Sequence, residues 1–253
     1  MKLVCSDCRF YTNKVRQITS RRILGGTFMC CVLLCITVSC SSSAHIVIRD
    51  NAAYSLTAEF VPSPLLEKNI AHLLKQNEQT TEQSVFNRRE LQEALTQSGL
   101  TVTDISLKGT MGLALACTLP ANHELLKNFI TYDQKQRQVR LRISPDNIAS
   151  FLEMLPQESR DFIDMLMAPL FTGDTLSLTE YEELIGAAYG KKIAAELHNA
   201  SFILTVDVPY TIQSVQMSPI GTVTFKQDNR AIVHIPLLEL LCTTDTINVR
   251  LSH

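Results

Sequence analysis

The chain has little of what usually announces a chemistry. It has no tryptophan in 253 residues, and only Cys117 and Cys242 of its eight cysteines lie beyond residue 40. Two cysteines make no disulfide framework. Both sit in apolar, strand-like runs where free cysteine behaves as a small core hydrophobe; one bridge between them stays open, but two buried thiols are favoured. No Gly-x-Ser-x-Gly occurs, and nothing around Cys117 suggests a thiolate. The six histidines form no His-x-x-x-His or His-Glu-x-x-His pair, so zinc lacks its usual spacing. His234 lies in an apolar strand and could be a buried base, although a satisfied or solvent-facing histidine is the simpler reading. We therefore expect no enzyme, no metal and no cofactor. Beyond residue 40 no apolar run approaches the ~20 residues of a membrane span. Nor does any Gly/Ser-rich linker or repeat divide the chain, so one domain is expected.

Charge is also in short supply, and it is unevenly placed. Residues 1–39 hold six of the 23 Lys+Arg and one of the 25 Asp+Glu, which leaves 17 against 24 and a net charge of -7 downstream. A mildly acidic surface argues against nucleic acid and against charge-driven adsorption to anionic lipid.

What the chain does have is a leader. Arg21-Arg22 precede the uncharged run Ile23 to Ser39, and small residues lead into Cys40-Ser41-Ser42-Ser43. A basic n-region, an apolar h-region and a small-residue cleavage site mark an exported precursor. Thr37-Val38-Ser39-Cys40 resembles a bacterial lipobox, in which the cysteine is diacylated and becomes the first mature residue. Two acyl chains hold a protein to a membrane stably where one does not. The 17 residues from Ile23 to Ser39 are short for an uncleaved anchor and contain Gly25-Gly26, which favours cleavage. The preceding 22 residues exceed what an n-region needs, so we expect translation to start downstream of about Lys14; the Cys5-x-x-Cys8 pair there has no matching half for a zinc site. We expect 1–39 to be a signal peptide, 40–44 a lipidated tether and 45–253 the domain. Four tether residues reach at most about 14 Å.

Alternation of apolar and polar residues predicts strands at Ile46-Ile48, at Tyr54 to Phe60, at Thr101 to Leu107 and Met111 to Cys117 around Lys108-Gly109, and at Val139 to Ile143. A closing series follows from Phe202 to Val208, then Val223 to Phe225, Ile232 to Ile235 and Ile247 to Leu251. Helices are predicted from Ser63-Pro64, from Asn87 with Glu90 to Gly99, and from Ser144-Pro145. The longest is expected from Thr179, capped with Glu182, to about Asn199. Glu180, Glu182 and Glu183 are explained by the helix N-terminus rather than by carboxylate catalysis. Gly186-x-x-x-Gly190 is read as close helix packing, since Glu182, Glu183, Lys191 and Lys192 exclude lipid. Strands at both ends with helices between them define an α+β fold with a mostly antiparallel sheet.

A hairpin directly after the lipobox, the helix Glu90 to Ser98, Gly99-Leu100-Thr101-Val102 and the strand Gly112 to Thr118 resemble the LppM-type lipoprotein family. Val206-Asp207-Val208-Pro209, Gly221-Thr222-Val223, Ile235-Pro236-Leu237-Leu238 and Asn248-Val249-Arg250-Leu251 follow its closing strands. The resemblance implies a Bet v 1-like ectodomain, a curved antiparallel sheet over helices, with lipid-like ligands and a place in the bacterial cell envelope. Residues 154–200 form a helical insertion without a counterpart.

Two stretches could serve an apolar ligand. Phe162 to Phe171 is Met-rich and broken by Pro169, so Phe162, Met165, Leu166, Met167 and Phe171 could line a cavity; an ordinary core helix is the competing reading. Gly112, Ala114 and Ala116 leave space on one strand face, opposite Met111 and Leu113, and either a helix packs closely there or a ligand does. The expected function is a membrane-anchored envelope lipoprotein, held by acyl chains such as palmitate on Cys40, that binds a lipid or other apolar ligand. The alternative is a non-catalytic interaction lipoprotein docking an envelope protein partner through its central helices.

Overall fold

Strand β1 is longer than its two isoleucines suggest. The computed structural model describes residues 40–50, 53–76, 84–120, 123–157, 159–160 and 176–253. Within them β1 (Ser41–Ile48) pairs antiparallel with β2 (Tyr54–Val61), from Ser41↔Val61 to Ile48↔Tyr54. On its other side β1 runs parallel to β7 (Ser201–Asp207), starting at Ser42↔Phe202. The expected tether is therefore corrected. Ser41 to Ala44 are strand, and from Ser42 onward they are paired on both sides, so they cannot act as a spacer. The leader, and the Met-rich stretch with Phe162, Met165, Leu166, Met167 and Phe171, lie outside the described residues.

Four more strands complete the larger sheet: β3 (Thr101–Lys108), β4 (Gly112–Leu119), β9 (Thr222–Gln227) and β10 (Arg230–Pro236). Their order is β3-β4-β2-β1-β7-β10-β9, and β1 with β7 is the parallel pair. A smaller sheet holds β5 (Ile130–Asp133), β6 (Gln138–Ile143), β8 (Ser214–Ser218) and β11 (Ile247–Ser252), ordered β5-β6-β11-β8 and antiparallel throughout. The fold is α+β and mostly antiparallel, with its strands shared between two sheets.

Helix starts follow side-chain chemistry. Ser63 Oγ accepts the Leu66 N–H at 3.1 Å and opens α1 (Pro64–Gln76). Asn87 caps α2 (Arg88–Gln97), which buries Leu91 and Leu95, and Gly99 at φ +86° lets the chain turn away. A short α3 (Glu124–Phe129) follows β4, and Ser144 caps α4 (Pro145–Leu152). The expected long helix differs in two respects. It starts at Ser177, whose hydroxyl accepts the Glu180 N–H at 3.3 Å while Glu180 accepts the Ser177 N–H at 2.8 Å. This reciprocal pair sits two residues before the Thr179–Glu182 pair and does the same capping for the backbone donors of Ser177 and Glu180. The helix also breaks: α5 (Leu178–Tyr189) and α6 (Lys191–Asn199) meet at Gly190, whose φ of +96° leaves the helical region. Of the two glycines, Gly186 packs, with Ala194 Cβ 3.8 Å from where its own Cβ would stand. A last helix, α7 (Leu237–Cys242), follows β10; Cys242 thus ends a helix rather than lying in a strand.

Register sorts the larger sheet's inner side chains into rows. Cys117, Leu56, Ile46, Val206 and Ala231 lie side by side, and so do Leu115, Ala58, Ala44, Leu204 and Val233. Toward β10 these rows meet the inner residues of the smaller sheet, among them Val139, Ile247, Val249 and Leu251, all fully buried. A second apolar cluster joins Cys40 and Met111 to Leu66 of α1, Tyr181 and Ile185 of α5, Ile193 and Ala194 of α6 and Leu238 of α7.

Candidate functional site

Where the two clusters adjoin, they leave a cavity of about 540 Å³. That volume is within the range of small-molecule sites, ~300–1,000 Å³. One wall is the inner face of β1, β2 and β4, through Ala44, Ile46, Leu56, Ala58, Phe60, Leu113 and Leu115; the other is helical, through Leu66, Tyr181, Ile185 and Ile193. Leu141 and Ile143 of β6 and Ile148, Phe151 and Leu152 of α4 contribute a third side. The lining is almost wholly apolar. Such a surface attracts by removing hydrocarbon from water, a term of roughly 25 cal/mol per Å² of apolar area covered.

The cavity exists because small residues occupy the middle of the wall. Ala44 and Ala58 face each other in register between Leu115 and Leu204. Large side chains surround a low floor. Met111 and Leu113, expected at a ligand site, both line this space, Met111 from a position only 1% exposed. The expected gap over Gly112, Ala114 and Ala116 is on the other side of β4: the residues alternating with them face the cavity. The structure thus exchanges the two faces, and the small one is set by the tight turn at Gly112, where an added Cβ would stand 2.4 Å from the Lys108 carbonyl oxygen.

Cys40 stands at one end of the cavity wall. It is 4% exposed, and its Sγ accepts the Ser63 N–H at 3.3 Å. Ser63 in turn donates its hydroxyl hydrogen to Glu196 of α6. Burial pushes the Cys40 thiol above its ordinary range, more than the hydrogen bond from Ser63 lowers it. Burial likewise pushes Cys117 and Cys242 up to about 11, and both are free thiols. None of the three carries the low pKa of a nucleophilic cysteine.

Extending the alternation from Ile46 back through Ala44 and Ser42 to Cys40 would have placed all four on one face. A run of serines reads as a tether, and that obscured the signal. A second group was also missed because its members lie far apart in the chain. His45 Nε2 is 3.0 Å from Asp207 Oδ2, and Arg230 binds both oxygens of Asp207 at 2.6 and 2.7 Å. The Arg230 guanidinium, and after it His45, hold the Asp207 carboxyl below the usual carboxylate range against the opposing effect of burial. This group lies on the outer face of β1, β7 and β10, away from the cavity, because His45 and Asp207 alternate with the inward Ala44, Ile46 and Val206. His234 is half-buried on that same outer face, between Val233 and Ile235, which are both fully buried.

Among the described residues, no group of three His, Cys, Asp or Glu is placed to hold a metal ion. No helix among them is long and apolar enough to cross a membrane.

No family model matches the chain, and no curated protein matches it in sequence. Among solved structures, it is similar to the NMR structure of the folded domain of LppM from Mycobacterium tuberculosis. The match covers 86% of this chain and 90% of that one, at 10% identity and a TM-score of 0.32. The structural relation is weak.

Proposed function

We propose that this chain is a bacterial envelope lipoprotein, anchored through acyl chains on Cys40, whose domain binds a lipid or another apolar molecule. The observation that carries this reading is the 540 Å³ cavity with its apolar lining. A space of that size beside a close-packed core loses dispersion contacts on every wall, and an apolar occupant restores them. The lipobox supports the anchor, and the leader supports export. The reading is of binding, without catalysis, cofactor or nucleic acid.

Native mass spectrometry of the full chain carrying Cys40→Ser tests the binding reading. A co-purifying apolar molecule of defined mass is expected. A protein free of ligand that also fails to take up a fluorescent fatty acid would end it. Metabolic palmitate labelling of the wild type tests the anchor, and absence of label would reject it.

A second reading, docking of an envelope protein through the central helices, is favoured by one feature of α5. Leu178 and Leu184 are 43% and 51% exposed there and offer apolar surface to a partner. Changing both to Ser would abolish partner crosslinking in cells if that reading holds and would leave ligand binding untouched.

A further inference from the structure

We infer that the cavity is a second seat for the chain's own anchor: an acyl chain carried by Cys40 can leave the bilayer and lie inside the domain, in exchange with the membrane-held state. The inference rests on the proposed lipidation and deepens the proposed lipid-binding role by naming the occupant.

Three observations meet at Cys40. First, its sulfur is inside. Cys40 lines the cavity and is 4% exposed, with the Ser63 N–H against its Sγ at 3.3 Å. A lipid attached to that sulfur either pulls the residue out of the core or continues into the cavity. The first course is confined to Cys40 itself, because β1 begins one residue later at Ser41 and is paired on both sides from Ser42. Second, the floor leading away from the sulfur is low. Cys40, Ser42 and Ala44 succeed one another on the inner face, and Ala58 stands beside Ala44. This is a trough of about 13 Å along β1, floored by small side chains and walled at Ser42 by Phe60 and Phe202 on the neighbouring strands. Third, the trough contains one polar atom with nothing to bond. Ser42 Oγ is buried and has no hydrogen-bond partner, and Ser42 lines the cavity. An unpaired hydroxyl in an apolar wall is costly. A diacylglyceryl group on Cys40 carries two ester carbonyls within a few bonds of the sulfur, at the level where Ser42 can donate to one.

The chemistry that places the lipid there is a displacement. The cysteine sulfur forms a C–S bond to a glycerol carbon of a phospholipid, the C–O bond to the phosphorylated headgroup breaks, and the thiol proton leaves with that headgroup. Once attached, the hydrocarbon has two apolar environments within reach, the bilayer and the cavity. Passing between them exposes little of it to water for long, so fit decides its place.

The test uses the full chain produced in bacteria fed a palmitate analogue bearing a photoreactive diazirine. After irradiation of intact cells, the protein is purified and its peptides are mapped by mass spectrometry. The expected result is label on Cys40, with an intramolecular adduct from that acyl chain to cavity residues such as Leu56, Leu115 or Ile185. Label on Cys40 with adducts only to membrane phospholipid would overturn the inference and leave the lipoprotein reading standing. Adducts from a separate phospholipid in the cavity would also overturn it, while supporting ligand binding. No label on Cys40 would remove the lipidation on which the inference rests. Ala58→Trp should fill the trough and lose the intramolecular adduct while keeping the Cys40 label. Should that protein not accumulate, the smaller Ala44→Leu serves the same purpose.

Discussion

The two ends of the larger sheet are equally apolar on the inside and do opposite things. At the β7 and β10 end the sheet faces a second sheet, and side chains of both close upon each other: Val206, Ala231, Val233, Ile235, Ile247, Val249 and Leu251 have no exposed surface. At the β2 and β4 end the facing layer is helical, and a cavity of about 540 Å³ remains. Pleated faces present rows at matched spacing, so two of them interdigitate to native density. Helices instead bridge the sheet, and they can stand off when the residues beneath are as small as Ala44 and Ala58. Hydrophobicity alone does not make a solid core. Row matching does.

The largest expected effect separates the two ends directly. Leu251 is fully buried between Val139 and Val215 in register. Leu251→Ala should cost about 3–5 kcal/mol, the upper part of the range for leucine truncation in a tight core. Leu113 lines the cavity and already lacks neighbours on one side. Leu113→Ala should cost about 1–2 kcal/mol, because fewer contacts are lost. Urea unfolding midpoints of both variants measure the difference, and equal losses would show that the cavity is as tightly packed as the core.

A smaller effect tests the helical roof. Gly190 separates α5 from α6 at φ +96°, and nothing lies within 4 Å of where its Cβ would be. Gly190→Ala therefore meets strain without collision, and should destabilise by about 1–2 kcal/mol. If the two helices are instead free to straighten, the substitution would leave the unfolding midpoint unchanged or raise it.

The smallest effect lies on the back of the solid end. Asp207 is held in its charged form by Arg230 and His45, so its carboxyl pKa is lower folded than unfolded. A depressed pKa contributes stability above the unfolded value, about 3.9, and that contribution disappears as pH falls through the lower folded value. Asp207→Asn should cost about 0.5–1 kcal/mol near neutral pH, the scale of a partly exposed ion pair. Below about pH 4 wild type and variant should converge. Midpoints that coincide at pH 7 would show that the pair adds nothing.

Most elements were legible where local chemistry decides them. Ser63-Pro64, Asn87 and Ser144 open helices at their expected places, because an N-cap needs only a hydroxyl or amide next to a free N–H. The caps at Ser177 and Thr179 differ because both residues precede a glutamate by three, and the choice between them lies beyond either pair. The site was less visible. Met111 and Leu113, singled out in the sequence, line the cavity, but the small residues beneath the space are others than those the sequence pointed to. Gly112, Ala114 and Ala116 looked like room, whereas the room lies over Ala44 and Ala58.

Taken alone, the sequence determined the positions of nearly all strands and the α+β class, since each depends on residues close together in the chain. Tertiary structure decided the rest. That Ser42 to Ala44 lie in the interior of a sheet, paired with β2 on one side, required β7, about 160 residues away, to provide the parallel partner on the other. That His45, Asp207 and Arg230 form one charged group required three strands to be set side by side. That the interior is solid at one end and hollow at the other depends on which layer faces each row. Periodicity tells a residue's face but not what that face will meet, and only the meeting of the two decides whether the space between them closes.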